Sequence, residues 1–286
     1  YMVKRIIVGL LSAAFAIGVL FAIDTPVYAI MIAIFTFIAA REIEKVVQIK
    51  NKAIYILSLA FSIFVPFYYE YNDELLQRGI NLPITAILVI YILLLFILML
   101  TDYENTKFED VAAVLVASLA VPWGFSTLIM LRDVSVTYPG VYDKIHGLFF
   151  VLLALFCAWL ADTCAYFTGK FLGKHKLSPK ISPKKTIEGA IGGTLGATAC
   201  SVALFAVFDN VYFTTHILTY WQIIIIALVL STVGMCGDLT ASVVKRNFGV
   251  KDFGKLFPGH GGVMDRFDSA LFVLCTLVAI ITIMRA

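Results

Sequence analysis

The sequence predicts an all-α, polytopic membrane protein of about nine transmembrane helices with its N-terminus in the cytoplasm. Three observations carry that expectation. Of 286 residues, 61% are hydrophobic and only 14% charged, with mean hydropathy +0.94, whereas a soluble globule is nearer half apolar. The apolar residues gather into runs of about 20, the length that crosses a bilayer as a helix. The basic residues collect on one side of the spans so defined. Low charge argues against disorder, and no Ser-, Gln- or Pro-rich segment marks a linker, so a single membrane-embedded domain over 1–286 is expected.

In chain order the spans fall near 4–23, 26–45, 52–69, 83–101, 111–131, 146–169, 187–208, 220–247 and 266–284. In the first, Lys4 and Arg5 precede the apolar run, and Ala14, Phe15 and Ala16 loosely mimic a cleavage site. Because many spans follow, a retained helix is expected in place of a signal peptide, and Tyr1 at the first position suggests a trimmed start. Residues 41–50, REIEKVVQIK, read as a solvated helix end with paired charges. Pro66 and the step at Pro122, Trp123 and Gly124 are expected to bend their helices. With an odd span count, all but four of the 22 basic residues face the cytoplasm, the exceptions being Arg78, Arg132, Lys144 and Arg285. No internal repeat suggests an inverted-repeat transporter.

A net charge of +3 is no sign of nucleic acid. Cys157, Cys164, Cys200, Cys236 and Cys275 lie in apolar runs without CxxC or His-paired spacing and read as buried thiols. His146 and His216 have no ligand partners nearby in sequence and read as structural. Residues 1–135 carry little motif content; the chemistry-bearing residues lie within 146–286.

Charge is densest in residues 237–268, GDLTASVVKRNFGVKDFGKLFPGHGGVMDRFD. Asp238, Ser242 and Lys245 share one helical face, and Asp265 and Asp268, three apart, share another. Between them Gly249, Gly254, Pro258, Gly259, Gly261 and Gly262 make a loop whose backbone can approach a ligand. Carboxylates hold a hard divalent cation through oxygen, while lysine, arginine and exposed amides neutralise phosphate. The alternative is an ordinary solvated loop. Asp238 argues against it, because it follows the apolar run 223–235 and an ionisable group at that depth is costly.

A second block begins where the sixth span ends, with Asp162, Thr163 and Tyr166, and continues through residues 169–189, GKFLGKHKLSPKISPKKTIEG. Such a basic cluster can simply attract anionic lipid. Ser182, however, is placed to cap a helix whose first residue is Pro183, leaving Lys184 and Lys185 in the first turn. Lysines oppose the helix dipole there unless an anion binds. Two look-alikes fail: the run from Gly169 to Lys174 is one residue short of a P-loop and lacks its Ser or Thr, and Asp252, Phe253 and Gly254 spell a kinase motif without the rest of a kinase.

The pattern Ser242-x-x-Lys245-Arg246, Lys251-Asp252, Pro258-Gly259-His260-Gly261-Gly262 and Asp265-Arg266-x-Asp268 resembles the signature of phosphatidate cytidylyltransferases, also called CDP-diacylglycerol synthases. Asp162-Thr163-x-Ala165-Tyr166 and Ser182-Pro183-Lys184-Lys185-Thr186-x-Glu188-Gly189 resemble the other region shared by that family. The N-terminal half matches only in being hydrophobic. The resemblance implies transfer of CMP from CTP to phosphatidic acid, giving CDP-diacylglycerol and pyrophosphate in phospholipid biosynthesis, at a bacterial cytoplasmic membrane with the active site facing the cytoplasm.

It also implies catalytic roles for Asp238, Lys245, Arg246, Asp265 and Asp268, and substrate contacts from Ser182, Lys184, Lys185, Ser242, Lys255, His260, Gly261, Gly262 and Arg266. Magnesium would be held by Asp162, Asp238, Asp265 and Asp268. The sequence leaves open a second, monovalent cation and which substrate Lys184 and Lys185 hold. The implied partners are CTP, phosphatidic acid and membrane lipids, with no nucleic acid; members of that family can be homodimers. Two rivals remain at this stage: a CTP-dependent lipid or polyprenol kinase, and a cation-coupled transporter, whose acids should lie near the midplane. The DxxDGxxAR motif of CDP-alcohol phosphotransferases is absent.

Overall fold

The computed structural model describes Gly18 and residues 22–257 and 261–285. Among them, eight helices are long and apolar enough to cross a membrane: α1 Pro26–Val47, α2 Lys52–Gln77, α3 Ile84–Thr101, α4 Phe108–Arg132, α5 Lys144–Leu172, α6 Ile187–Val211, α7 Tyr220–Asn247 and α8 Met264–Arg285. The expected span at 4–23 lies almost wholly outside the described residues. The chain is thus a helical integral membrane protein, interrupted by one short antiparallel hairpin, β1 Lys176–Ser178 and β2 Ser182–Thr186. It divides into two compact units, one drawn from Tyr1–Ile129 and Asp252–Asp265, the other from Met130–Lys251 and Arg266–Ala286.

In the first unit, α1 buries a stripe of Tyr28, Ile32, Thr36, Ala39, Ala40 and Ile43, spaced three and four apart as a helix face requires. That stripe does not stop where the apolar residues do. Glu42 and Glu44 are buried as well, at 8% and 1% exposure, which corrects the reading of 41–50 as a solvated helix end. Ser58 donates to Glu44 at 2.5 Å. Asn51 starts α2 by accepting from the Ala53 and Ile54 amides. Phe61 of α2 stacks on Tyr91 of α3, with ring centroids 3.9 Å apart, beside Val111 and Val114 of α4. Within α4 the residues Val116–Ala120 form a π-turn in which the Val121 amide donates five residues back to Val116. Pro122 follows at once; having no N–H, it breaks the regular ladder, and the wider turn is the local consequence.

In the second unit, α5 and α6 approach closely because glycines line α6. A Cβ on Gly193 would lie 2.7 Å from the Ala161 carbonyl oxygen, and one on Gly189 would lie 2.8 Å from that of Ala165. Small residues serve the same purpose in membrane helix pairs generally. Gly237 of α7 likewise faces α8, where a Cβ would meet the Asp268 carbonyl oxygen at 2.9 Å.

The hairpin corrects the expected helix start at Ser182. Ser182 pairs with Ser178 across the strands, Lys184 and Lys185 belong to β2, and Thr186 is the cap, its hydroxyl accepting from the Gly189 amide at 3.1 Å. Pro183 fits an edge strand, where its missing donor costs no ladder bond. With Thr186 beta-branched and extended, the helix begins one step after the lysines.

Replacing Gly193 with valine is expected to overpack the α5 and α6 contact and to destabilise the protein by about 1–3 kcal/mol. Unfolding of the purified protein in mixed micelles under increasing denaturing detergent measures this.

Candidate active site

The second unit gathers acids and lysines from within α5 and α7 and from the first turns of α8. Lys185, carried in by β2, forms an ion pair with Asp238 of α7. One turn further along α7, buried Ser242 and then Lys245 continue the face that carries Asp238. The Lys245 ammonium lies 3.4 Å from Asp268 of α8, both side chains at or below 10% exposure. Asp268 also accepts from the Ser269 amide at 2.9 Å, while the Ser269 hydroxyl reaches Asp162 of α5 at 3.5 Å.

The charges of this group act on one another. Asp238 lies near enough to Asp162 and Asp268 to repel both, whereas Lys185 and Arg266 attract Asp162 and Lys245 attracts Asp268. The three acids are therefore held together against their own repulsion by ammonium and guanidinium groups.

A cavity of about 380 Å³ opens beside this group. Its lining includes the charged side chains of Asp162, Lys170, Lys184 and Lys185 together with Ala158, Ala161, Ala165, Leu177, Ala190 and Met235, and Gly169, Gly189 and Gly193. A second, apolar cavity of about 260 Å³, lined by Ala190, Ile191, Thr194, Leu195, Thr232 and Met235, shares two of those residues.

Arg246, expected among the catalytic residues, makes backbone contacts. Its guanidinium donates to the Ile181 and Val250 carbonyls, at 3.5 and 3.2 Å, and so ties the hairpin turn to the end of α7. Glu188 fixes the other side of the hairpin, accepting from the Lys174 and His175 amides and meeting the His175 ring at 2.6 Å.

The Gly-rich loop belongs to the first unit and also departs from expectation. One oxygen of Asp265 accepts from the amides of Phe253, Gly254 and Gly262, at 2.8, 3.3 and 3.0 Å. The Gly262 amide therefore points at a carboxylate of the protein itself, and Gly261 turns the chain with φ +86°. Lys255 is exposed on this loop. His260, with Pro258 and Gly259, lies outside the described residues. Glu42 of α1, which sequence reasoning missed, accepts from the Val263 and Met264 amides. The continuing helical stripe of α1 was the signal that could have found it.

Among the described residues, no three His, Cys, Asp or Glu side chains form a ready-made metal cage. Magnesium does not require one, since it is commonly held by one or two carboxylates and completes its shell with water and substrate phosphate. The hard oxygen donors Asp162, Asp238 and Asp268, whose mutual repulsion a cation would relieve, fit that habit.

Fold and site together define a polytopic membrane protein with an amphiphilic cavity, lined by small apolar residues, three lysines and Asp162. The model of the cytidylyltransferase family matches residues 3–284, and the chain belongs to that family. It is 38% identical over 146 residues to the phosphatidate cytidylyltransferase of Staphylococcus aureus (strain COL), covering 49% of this chain and 54% of that relative. To the phosphatidate cytidylyltransferase of Staphylococcus haemolyticus (strain JCSC1435) it is 37% identical over 146 residues, with the same coverage of 49% and 54%. To that of Staphylococcus saprophyticus subsp. saprophyticus it is 36% identical over 148 residues, covering 51% of this chain and 55% of the relative. The chain spans about half the length of these curated relatives.

Lys245→Met leaves the Asp268 carboxylate buried without its cation. Breaking one side of such a pair is expected to cost about 3–5 kcal/mol. Adding Asp268→Asn should recover much of that stability, and a double-mutant cycle of detergent unfolding measures the coupling.

Proposed function

We propose that this protein transfers the cytidylyl group of CTP to phosphatidic acid, giving CDP-diacylglycerol and pyrophosphate. The observation that carries the reading is the amphiphilic cavity, whose lining combines three lysines and the Asp162 carboxylate with small apolar side chains. A phospholipid has that same combination. Membership of the cytidylyltransferase family and similarity to relatives named phosphatidate cytidylyltransferases support the same reaction.

Lys184 and Lys185 of the lining hold the lipid phosphate, which brings about −1.5 to −2 charges at neutral pH. The acyl chains follow the apolar walls toward Ile191 and Leu195, both exposed on α6, through the second cavity that shares Ala190 and Met235. Arg266, near enough to attract Asp162, carries charge suited to the triphosphate. When bound, magnesium on Asp162, Asp238 and Asp268 would neutralise triphosphate oxygens and the charge that develops on pyrophosphate.

The lipid oxygen is already ionised, so no strong base is required and no proton need move. Its bond to the α-phosphorus forms as the bond from that phosphorus to the pyrophosphate oxygen breaks. The protein's part is alignment and charge neutralisation. The distribution of basic residues supports a site on the cytoplasmic face, where CTP is available, and a bacterial cytoplasmic membrane.

With CTP labelled in cytidine or at the γ-phosphate, cytidine retained in the lipid is the expected result; γ-phosphate retained there would point to a lipid kinase. Uptake of a solute without pyrophosphate release would point to a transporter. Asp238→Asn should lower kcat by on the order of 100-fold with the fold intact, the scale seen when one charge-stabilising group is removed. Lys184→Ala should act mainly on the KM for phosphatidic acid, raising it about tenfold, whereas Lys176→Ala, on β1, should change turnover little. Chelation should stop turnover and added magnesium restore it.

A further inference from the structure

We propose that Glu42 is a positioning residue: from α1 it caps the start of α8 and, with Asp265, fixes the described loop residues 253–257 and 261–264 that flank that start. The catalytic consequence rests on the cytidylyl-transfer reading; the geometry does not.

A helix start exposes amides that have no partner within the helix. At the start of α8, Glu42 supplies what the local sequence lacks. One of its oxygens accepts from the Val263 amide at 3.2 Å and the other from the Met264 amide at 2.9 Å, across 221 and 222 residues of chain. Val263 is fully buried and Glu42 nearly so. A carboxylate at such burial needs donors, and the positive end of α8 provides both amides and dipole.

The loop is shaped around this carboxylate. A Cβ at either Gly254 or Gly262 would collide with the carboxyl group of Glu42, so glycine at both positions follows from close approach to that side chain. On its other side the loop is held by Asp265 through the Phe253, Gly254 and Gly262 amides, and the Phe257 amide closes it on the Gly261 carbonyl at 2.8 Å. Two carboxylates thus accept from the amides of Phe253, Gly254, Gly262, Val263 and Met264.

The consequence stays within the first unit. The amides that Glu42 and Asp265 hold flank the segment that carries Lys255. Glu42 therefore acts on the reaction through that loop, without touching substrate.

The test uses the full chain purified in detergent, with Glu42→Ala and the milder Glu42→Gln, which keeps one acceptor oxygen and the side-chain volume. In hydrogen exchange without substrates, Glu42→Ala should speed the amides of residues 253–264 at least tenfold while α2 and α3 exchange as in the wild type. In turnover, kcat should fall at least tenfold with KM for CTP and phosphatidic acid within threefold, and Glu42→Gln should lie between. A merely structural role would lower the active fraction together with protection throughout the chain. Unchanged exchange in residues 253–264, local loosening with unchanged kcat, or uniform loss of protection in both variants would each overturn the proposal. If wild-type protein makes no CDP-diacylglycerol, the reaction assignment fails, and the exchange arm alone then decides whether Glu42 holds the loop.

Discussion

A carboxylate inside an apolar bundle is tolerable only when donors or cations surround it, and that constraint organises both units of this protein. In the first unit Glu42 and Asp265 are compensated by backbone amides of the loop that winds against them, and Glu44 by the Ser58 hydroxyl. In the second they are ammonium groups, with Lys185 on Asp238 and Lys245 on Asp268. The hairpin exists in this scheme to deliver Lys185. Arg246 and Glu188 hold the hairpin in place by binding its backbone, so charges that look interchangeable in sequence divide into those that position and those that neutralise.

Bringing acids on separate helices within range of one another also requires the helices to come close. Gly237 permits α7 to lie against the Asp268 backbone, and Gly189 and Gly193 permit α6 to lie against α5 where Asp162 ends the apolar stretch. Lipid tails offer no hydrophobic drive for such contacts, so van der Waals packing through small residues must supply it. The same small residues leave the walls of the cavity smooth and apolar. Packing and substrate shape are thus met by one set of side chains.

The spans were legible because membrane burial is written in composition: each of the eight described helices overlaps an expected run. Local chemistry was less legible. The sequence at Ser182 and Pro183 offers a plausible helix start, yet Thr186 makes the better one, since its hydroxyl reaches the Gly189 amide while the preceding residues satisfy theirs across a strand pair. Nothing local distinguishes the two, because the deciding bond is with β1. Pro122 was expected to bend its helix; the structure shows a π-turn just before it, and Ser118 within that turn lies 2.5 Å from the Tyr91 hydroxyl on α3. Glu42 was invisible for a third reason. Its donors lie more than 220 residues away, and charge pairing with nearby lysines offered an adequate local explanation.

The two kinds of compensation differ in what they allow. An amide held in a tight loop cannot leave its carboxylate unless the loop unwinds, so Glu42 and Asp265 are suited to a fixed framework. An ammonium on a flexible stem can exchange one anion for another by rotating a few bonds. Under the proposed reaction Lys185 exchanges Asp238 for a phosphate, and the carboxylate it leaves is then uncompensated. An incoming cation meets its strongest attraction at that moment. A site built from exchangeable pairs keeps its charges compensated before substrate enters and redistributes them afterwards, which lets anions that repel one another occupy neighbouring positions at the membrane surface.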